Sequence, residues 1–91
     1  MSCITNFSNL SRPVVDIKAT GNKIKQLMTA KSLCVRDLQA VFGFGYPQAV
    51  YAWIEGKSLP SVDNLLVLSY LFCVPIDEIV QRKFVGCAKS A

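Results

Sequence analysis

The pattern of residues 33–72 constrains the fold most. Two short stretches with helical spacing of apolar residues are separated there by a turn at residues 43–46. A longer apolar stretch follows after Gly56 and Pro60. Glycine and proline at such points end one helix and precede the next. The pattern therefore predicts two short helices joined by a tight turn and followed by a long apolar helix.

The whole chain is expected to form one small all-α domain. It has 91 residues, of which 52% are hydrophobic, and this is enough apolar material for one core. The apolar residues recur at helical rather than alternating spacing, which argues against a β sandwich. We expect an N-terminal arm at residues 1–16, a five-helix domain at 17–81 and a C-terminal tail at 82–91.

Capping residues and chain breakers predict the ends of five helices. Thr20 is a candidate N-cap for a first helix over residues 21–31. Pro47 suits the first helical position, so the third helix is expected to begin there and to end by Gly56. The remaining predicted ends are the N-caps Cys34 and Ser61, the terminating Gly43 and a short fifth helix over residues 75–81.

The residue types needed for catalysis or metal binding are missing or scattered. The chain has no histidine, and its cysteines lack close paired spacing: Cys3, Cys34, Cys73 and Cys87. No metal site is expected, and Cys34 and Cys73 are interpreted as small buried or capping residues. Without a histidine base or a glycine-rich phosphate loop, we expect no enzyme activity, no cofactor and no small-molecule substrate.

The longest apolar run, at residues 65–76, is too short to span a bilayer and is interrupted by polar residues and a proline. The N-terminus also lacks the basic start and apolar run of a signal peptide. We therefore expect a soluble cytoplasmic protein.

Charge is distributed unevenly along the chain. Residues 1–57 hold seven basic and three acidic side chains, whereas residues 58–91 hold three of each, so the net charge of +4 comes from the first part. A basic half that also carries two short helices and a tight turn suits a polyanion such as DNA, because phosphates attract lysine and arginine at every site.

The third predicted helix has an apolar side and a polar side. Its apolar residues Val50, Trp53 and Ile54 recur at helical spacing and are expected to face the core, which leaves four residues pointing outward: Gln48, Tyr51, Ala52 and Glu55. Gln48 has the two hydrogen-bonding groups that match an adenine edge, and Tyr51 can reach a phosphate or a thymine methyl group. Ala52 is small enough to permit close approach.

Two basic residues flank this outward face. Arg36 lies near the start of the second helix and Lys57 just after the third, and both are candidate phosphate contacts. A simpler interpretation remains open, in which the glutamine and tyrosines are solvated and the basic residues only favour solubility.

These residues resemble the Cro and phage-repressor-like helix-turn-helix regulators, called the XRE family, over residues 16–80. The likeness is carried by the segments of residues 47–53 and 56–65. Eight residues also stand where the pattern expects them: Leu33, Leu38, Gly43, Val50, Trp53, Gly56, Pro60 and Leu68. Among the departures from the family pattern, the turn is one residue longer, Gln39 stands where a small alanine is usual, and Met28 and Ile54 stand in place of a buried ion pair.

The resemblance implies a five-helix, lambda-repressor-like domain. In that fold the second helix braces the DNA backbone and the third enters the major groove, usually in a dimer that reads a two-fold operator. Matched by position, Gln48, Tyr46, Tyr51 and Ala52 face the groove, and Lys57 contacts the backbone.

Two functional hypotheses follow. The first is a sequence-specific regulator of transcription, of the kind found in bacteria and phages, that binds double-stranded DNA as a homodimeric repressor and reads the major groove with residues 47–55. The second is a protein-interaction module on the same fold, such as an antitoxin or adaptor.

Overall fold

Five helices and two short strands make up the described part of the chain. The computed structural model describes residues 11–85. In chain order the elements are β1 Arg12–Val15, α1 Ile17–Ala30, α2 Val35–Phe42, α3 Gln48–Ile54, α4 Val62–Phe72, α5 Ile76–Ile79 and β2 Arg82–Val85. The predicted arm and tail extend beyond this range, so residues 1–10 and 86–91 lie outside the described residues.

All five helices contribute to one apolar core. Its buried members are Ile24 and Met28 from α1, Leu38 from α2, Val50 and Trp53 from α3, Leu68 and Phe72 from α4, and Ile79 from α5. The apolar spacing of the sequence therefore identified most of the buried positions, although Val41, which helical spacing placed on the inward side of α2 with Leu38, is 50% exposed. On α4, however, only Leu68 and Phe72 are buried, and Val62, Leu66 and Tyr70 remain exposed.

The prediction of a first helix over residues 21–31 is wrong at its start. Helix α1 begins at Ile17, and the carboxylate of its N-cap Asp16 accepts a hydrogen bond from the Ala19 N–H at 3.0 Å. Thr20 is not a cap but a buried side chain within the helix, where its hydroxyl accepts a hydrogen bond from the Gln81 N–H at 2.9 Å. The hydrogen-bond partner of the Thr20 hydroxyl is therefore 61 positions away in the sequence, whereas the predicted cap would have bonded to the first turn of its own helix.

A two-stranded antiparallel sheet corrects the prediction of an all-α fold. Strand β1 lies in the segment assigned to the arm and β2 in the segment assigned to the tail, and Arg12 pairs with Val85 while Val15 pairs with Arg82. The Asp16 N–H donates to the Gln81 carbonyl at 2.8 Å and anchors the base of this ribbon to α1. Each strand is only four residues long, and the strands meet only because the helices bring the two ends of the domain together.

The other predicted helix ends agree more closely with the structure. Cys34 is the N-cap of α2, Gly43 ends α2 in the left-handed conformation, and Ser61 caps α4 by accepting from the Asn64 N–H at 3.2 Å. Pro47 occupies the N-cap of α3 rather than its first turn, and α5 is only four residues long.

Cys34 and Cys73 occupy cap positions, as one of their two interpretations predicted, but both are exposed rather than buried. Within residues 11–85 no group of three or more potential ligands gathers to hold a metal ion. None of the helices described has the length and apolar character needed to cross a bilayer.

Candidate nucleic-acid interface

Helices α2 and α3 form a helix-turn-helix unit that an aromatic cluster holds together. The Phe42 and Phe44 rings stack with centroids 5.3 Å apart, and the Trp53 ring meets both edge-on at 5.3 and 5.9 Å. Phe42 ends α2, Phe44 lies in the turn and Trp53 lies on α3, so one cluster ties all three segments together. Aromatic pairs of this geometry contribute about 0.5–1.5 kcal/mol each beyond their buried area.

Gln39 connects α2 to the turn that follows it. Its side-chain amide donates hydrogen bonds to the carbonyl oxygens of Phe44 and Gly45, each at 3.3 Å. Its backbone carbonyl accepts from the Phe44 N–H at 3.0 Å. The glutamine that replaces the small residue expected from the XRE resemblance thus pairs with carbonyls that the turn exposes. Sequence reasoning noted the departure but could not assign it a partner.

Helix α3 is seated on α1 through a close backbone approach at Gly21. A Cβ atom built on this glycine lies 2.3 Å from the Trp53 carbonyl oxygen and 3.1 Å from that of Ile54. Only glycine permits this separation, because real Cβ atoms do not come within 3.0 Å of another heavy atom. The direction in which α3 projects from the core therefore depends on a residue of α1 that has no side chain.

The outward surface of α3 carries most of the predicted base-reading residues. Tyr46, in the turn, is 76% exposed and Tyr51 is 45% exposed. Gln48 is exposed as well, whereas Ala52 is half-buried, and its carbonyl accepts from the Lys57 N–H at 2.9 Å. The inward side is as predicted, since Val50 and Trp53 are buried and Ile54 packs against the core.

A shallow groove runs between α2 and α3. It is lined by Cys34, Val35, Arg36, Gln39, Pro47 and Tyr51. The fold therefore brings the predicted backbone contact Arg36 and the predicted base contact Tyr51 to the same surface. Lys57 lies apart from this groove, on the turn that follows α3.

Acidic side chains balance the predicted cations of this surface. The Lys57 ammonium lies 3.2 Å from the Glu55 carboxylate, and both side chains are largely exposed. Beside Arg36, Asp37 accepts hydrogen bonds from the backbone N–H and thiol of Cys34, and the backbone bond is the main reason why the pKa of Asp37 lies below its ordinary value. Two cations and two anions thus flank the helix-turn-helix unit.

Sequence reasoning missed one cation near the site, Lys18 on α1. The Lys18 Cα is 2.9 Å from a Cβ built on Gly56, so this exposed lysine lies beside the residue that precedes Lys57. Lys18 and Lys57 are 39 positions apart in the sequence, and only the packing of α1 against the end of α3 places Lys18 beside the residue that precedes Lys57.

Comparison with known structures identifies the fold. The crystal structure of the DNA-binding domain of BldD matches 72% of this chain and 94% of its own length, with a TM-score of 0.61 and 21% identity. The S. venezulae BldD DNA-binding domain matches 72% of this chain and 97% of its own, with a TM-score of 0.61 and 19% identity. The chain therefore has the helix-turn-helix fold of these DNA-binding domains.

Comparisons of the sequence itself with protein-family models and with curated proteins found no match.

Proposed function

We propose that the protein is a sequence-specific regulator that binds double-stranded DNA as a homodimer and reads the major groove with α3. The observation that carries the proposal is a row of exposed side chains, Tyr46 in the turn and Gln48 and Tyr51 on the short helix α3, whose opposite side packs in the core. Recognition by groove contacts requires such a helix, with hydrogen-bonding side chains near its N-terminus and little freedom in its direction.

The proposed roles follow from position. Gln48 reads a base edge from the first turn of α3, while Tyr46, Tyr51 and Ala52 contact neighbouring bases or the sugar–phosphate chain. Arg36, Lys57 and Lys18 contact phosphates, and Lys57 must leave Glu55 to do so. We assign the chain no catalytic step and no cofactor, and the XRE resemblance and the repressor role belong to the same proposal.

The first test is fluorescence anisotropy with duplex DNA from the region upstream of the protein's own gene and with a scrambled duplex, each at low and at physiological salt. The proposal expects preference for the native duplex and an affinity that falls steeply as salt rises. Folded protein that binds neither duplex contradicts it.

Matched variants separate base reading from phosphate contact. Gln48→Ala should reduce the preference between the two duplexes, and Gln26→Ala, which truncates an exposed glutamine on α1, should not. Lys57→Ala and Lys18→Ala should each weaken binding to both duplexes equally. Each should also reduce the salt dependence of the affinity by the amount expected for about one lost phosphate contact. Lys25→Ala, at another exposed position of α1, is the matched lysine control.

A second candidate function is the protein-interaction module. It is favoured by the exposed apolar row on α4, where Val62, Leu66 and Tyr70 follow one another at intervals of four residues. Tight binding of a protein partner, lost when Leu66 is replaced by serine, together with weak and salt-insensitive DNA binding, would favour this candidate.

A further inference from the structure

Among residues 11–85, no helix packs over the ribbon formed by β1 and β2. Both strands are largely exposed, and Phe84 alone is 65% exposed. Two-stranded ribbons are marginally stable in water unless a third strand or a packed helix joins them. Within residues 11–85 no such element covers the ribbon, so its edges can accept a further strand.

The register shows which backbone groups point away from the ribbon. The Asp16 N–H donates to the Gln81 carbonyl, which places these two opposed residues at a hydrogen-bonding position of the ladder, although the Gln81 N–H donates to Thr20 rather than back to Asp16. Such pairs alternate along antiparallel strands, so Val14 with Lys83 and Arg12 with Val85 are also hydrogen-bonded pairs. The intervening residues Pro13, Val15, Arg82 and Phe84 therefore direct their backbone groups outward.

The two edges differ in their capacity to accept another strand. On β1 one of the two outward positions is Pro13, which has no N–H to donate. On β2 both Arg82 and Phe84 offer an N–H and a carbonyl. The β2 edge is therefore the one that is equipped to continue the sheet.

Charge selects the register of a pairing between two copies of β2. A two-fold axis at Lys83 brings two lysines directly opposite each other, and an axis at Arg82 does the same with two arginines, both of which are unfavourable. An axis at Phe84 instead places the two phenylalanines opposite each other and Lys83 opposite Val85 of the other copy. Only this register gives a favourable aromatic pair at the centre.

We propose that two copies of this chain associate through their β2 strands, antiparallel and centred on Phe84, to form one four-stranded sheet. This inference supplies the contact for the proposed homodimer and to that extent rests on the proposed function. One cation of the ribbon, Arg82, is paired with Asp77 and is therefore less available to a polyanion. The contact is small, so the dimer is weak, with a dissociation constant of about 10–500 µM.

Sedimentation equilibrium of the full chain without DNA tests this contact over about 5 µM to 1 mM, a range that brackets the expected dissociation constant. Phe84→Pro removes an outward N–H but no bond between β1 and β2, and it should weaken the dimer by about tenfold or more. Tyr70→Ser removes an aromatic side chain that is 88% exposed on α4 and should leave the dimer unchanged. Circular dichroism checks that both variants fold.

Cross-linking keeps the proposal testable if Phe84→Pro misfolds. In a chain whose four cysteines are replaced by serine, Phe84→Cys should yield a covalent dimer with a short bismaleimide, and Tyr70→Cys should not. The proposal is overturned if the wild-type chain stays monomeric throughout the concentration range. It is also overturned if Phe84→Pro dimerises as strongly as wild type, or if Tyr70→Ser dissociates the dimer. Because no DNA is present, failure of this contact and failure of DNA recognition are observed separately.

Discussion

Replacing Gly21 with alanine tests whether α3 is positioned by backbone contact with α1. The added Cβ lies 2.3 Å from the Trp53 carbonyl oxygen, which is 0.7 Å short of the 3.0 Å that real Cβ atoms keep. The obstacle is backbone on both sides, so no side-chain rotation relieves it. The two helices must separate by most of that distance.

The magnitude follows from two opposing effects. Alanine in place of glycine within a helix stabilises it by about 1 kcal/mol. Overpacking of a tightly packed contact costs about 1–3 kcal/mol and occasionally more, and here the buried Trp53 also loses contacts as α3 moves. Because the obstacle is backbone, the cost should lie at the upper end of that range, about 3 kcal/mol. The net loss in the free energy of unfolding is then about 2 kcal/mol, which corresponds to a fall in Tm of roughly 8–16 °C for a domain of this size.

Thermal and urea unfolding followed by circular dichroism measure this loss, and Gly45→Ala provides the matched control. A Cβ at Gly45 meets nothing within 4 Å, so the same chemical change should be neutral or slightly stabilising there. If Gly21→Ala proves as stable as Gly45→Ala, the close contact between α1 and α3 does not exist as described. DNA binding by the Gly21→Ala protein below its Tm should also be weaker, because α3 has been displaced.

Three further predictions concern the helix-turn-helix unit. Gln39→Ala removes both bonds to the turn and should lower stability by about 1 kcal/mol in urea unfolding, and an unchanged midpoint would contradict the role assigned to this side chain. Asp37→Ala should lower Tm at pH 7. The hydrogen bond from the Cys34 N–H keeps the pKa of Asp37 below its ordinary value, so the stabilisation is present above the unfolded pKa and is lost as pH falls through the folded one. The difference in Tm between Asp37→Ala and wild type should therefore narrow below about pH 4. A difference that stays constant with pH would show that the charged carboxylate is not the source of the stabilisation. Glu55→Gln should raise DNA affinity by about threefold at low salt by freeing Lys57, with little change in Tm, and weaker binding would show that Glu55 itself contributes to recognition.

The sequence alone determined most of the helical layout. Leu38, Val50, Trp53 and Leu68 are all buried, because apolar residues at helical spacing must share one face of a helix. The caps at Cys34 and Ser61 and the end of α2 at Gly43 were also readable, since capping depends on residues within one turn of the helix end.

Tertiary structure decided the features that depend on residues far apart in the chain. Thr20 was predicted to be an N-cap, but in the folded domain its hydroxyl bonds to Gln81. The ribbon forms only because α1 and α5 bring β1 and β2 together. The meeting of Lys18 with the end of α3, and the contact that requires Gly21 to lack a side chain, arise in the same way. Local patterns specify where helices begin, end and turn inward, but the direction in which α3 projects is set by contacts between helices, and those exist only once the core has formed.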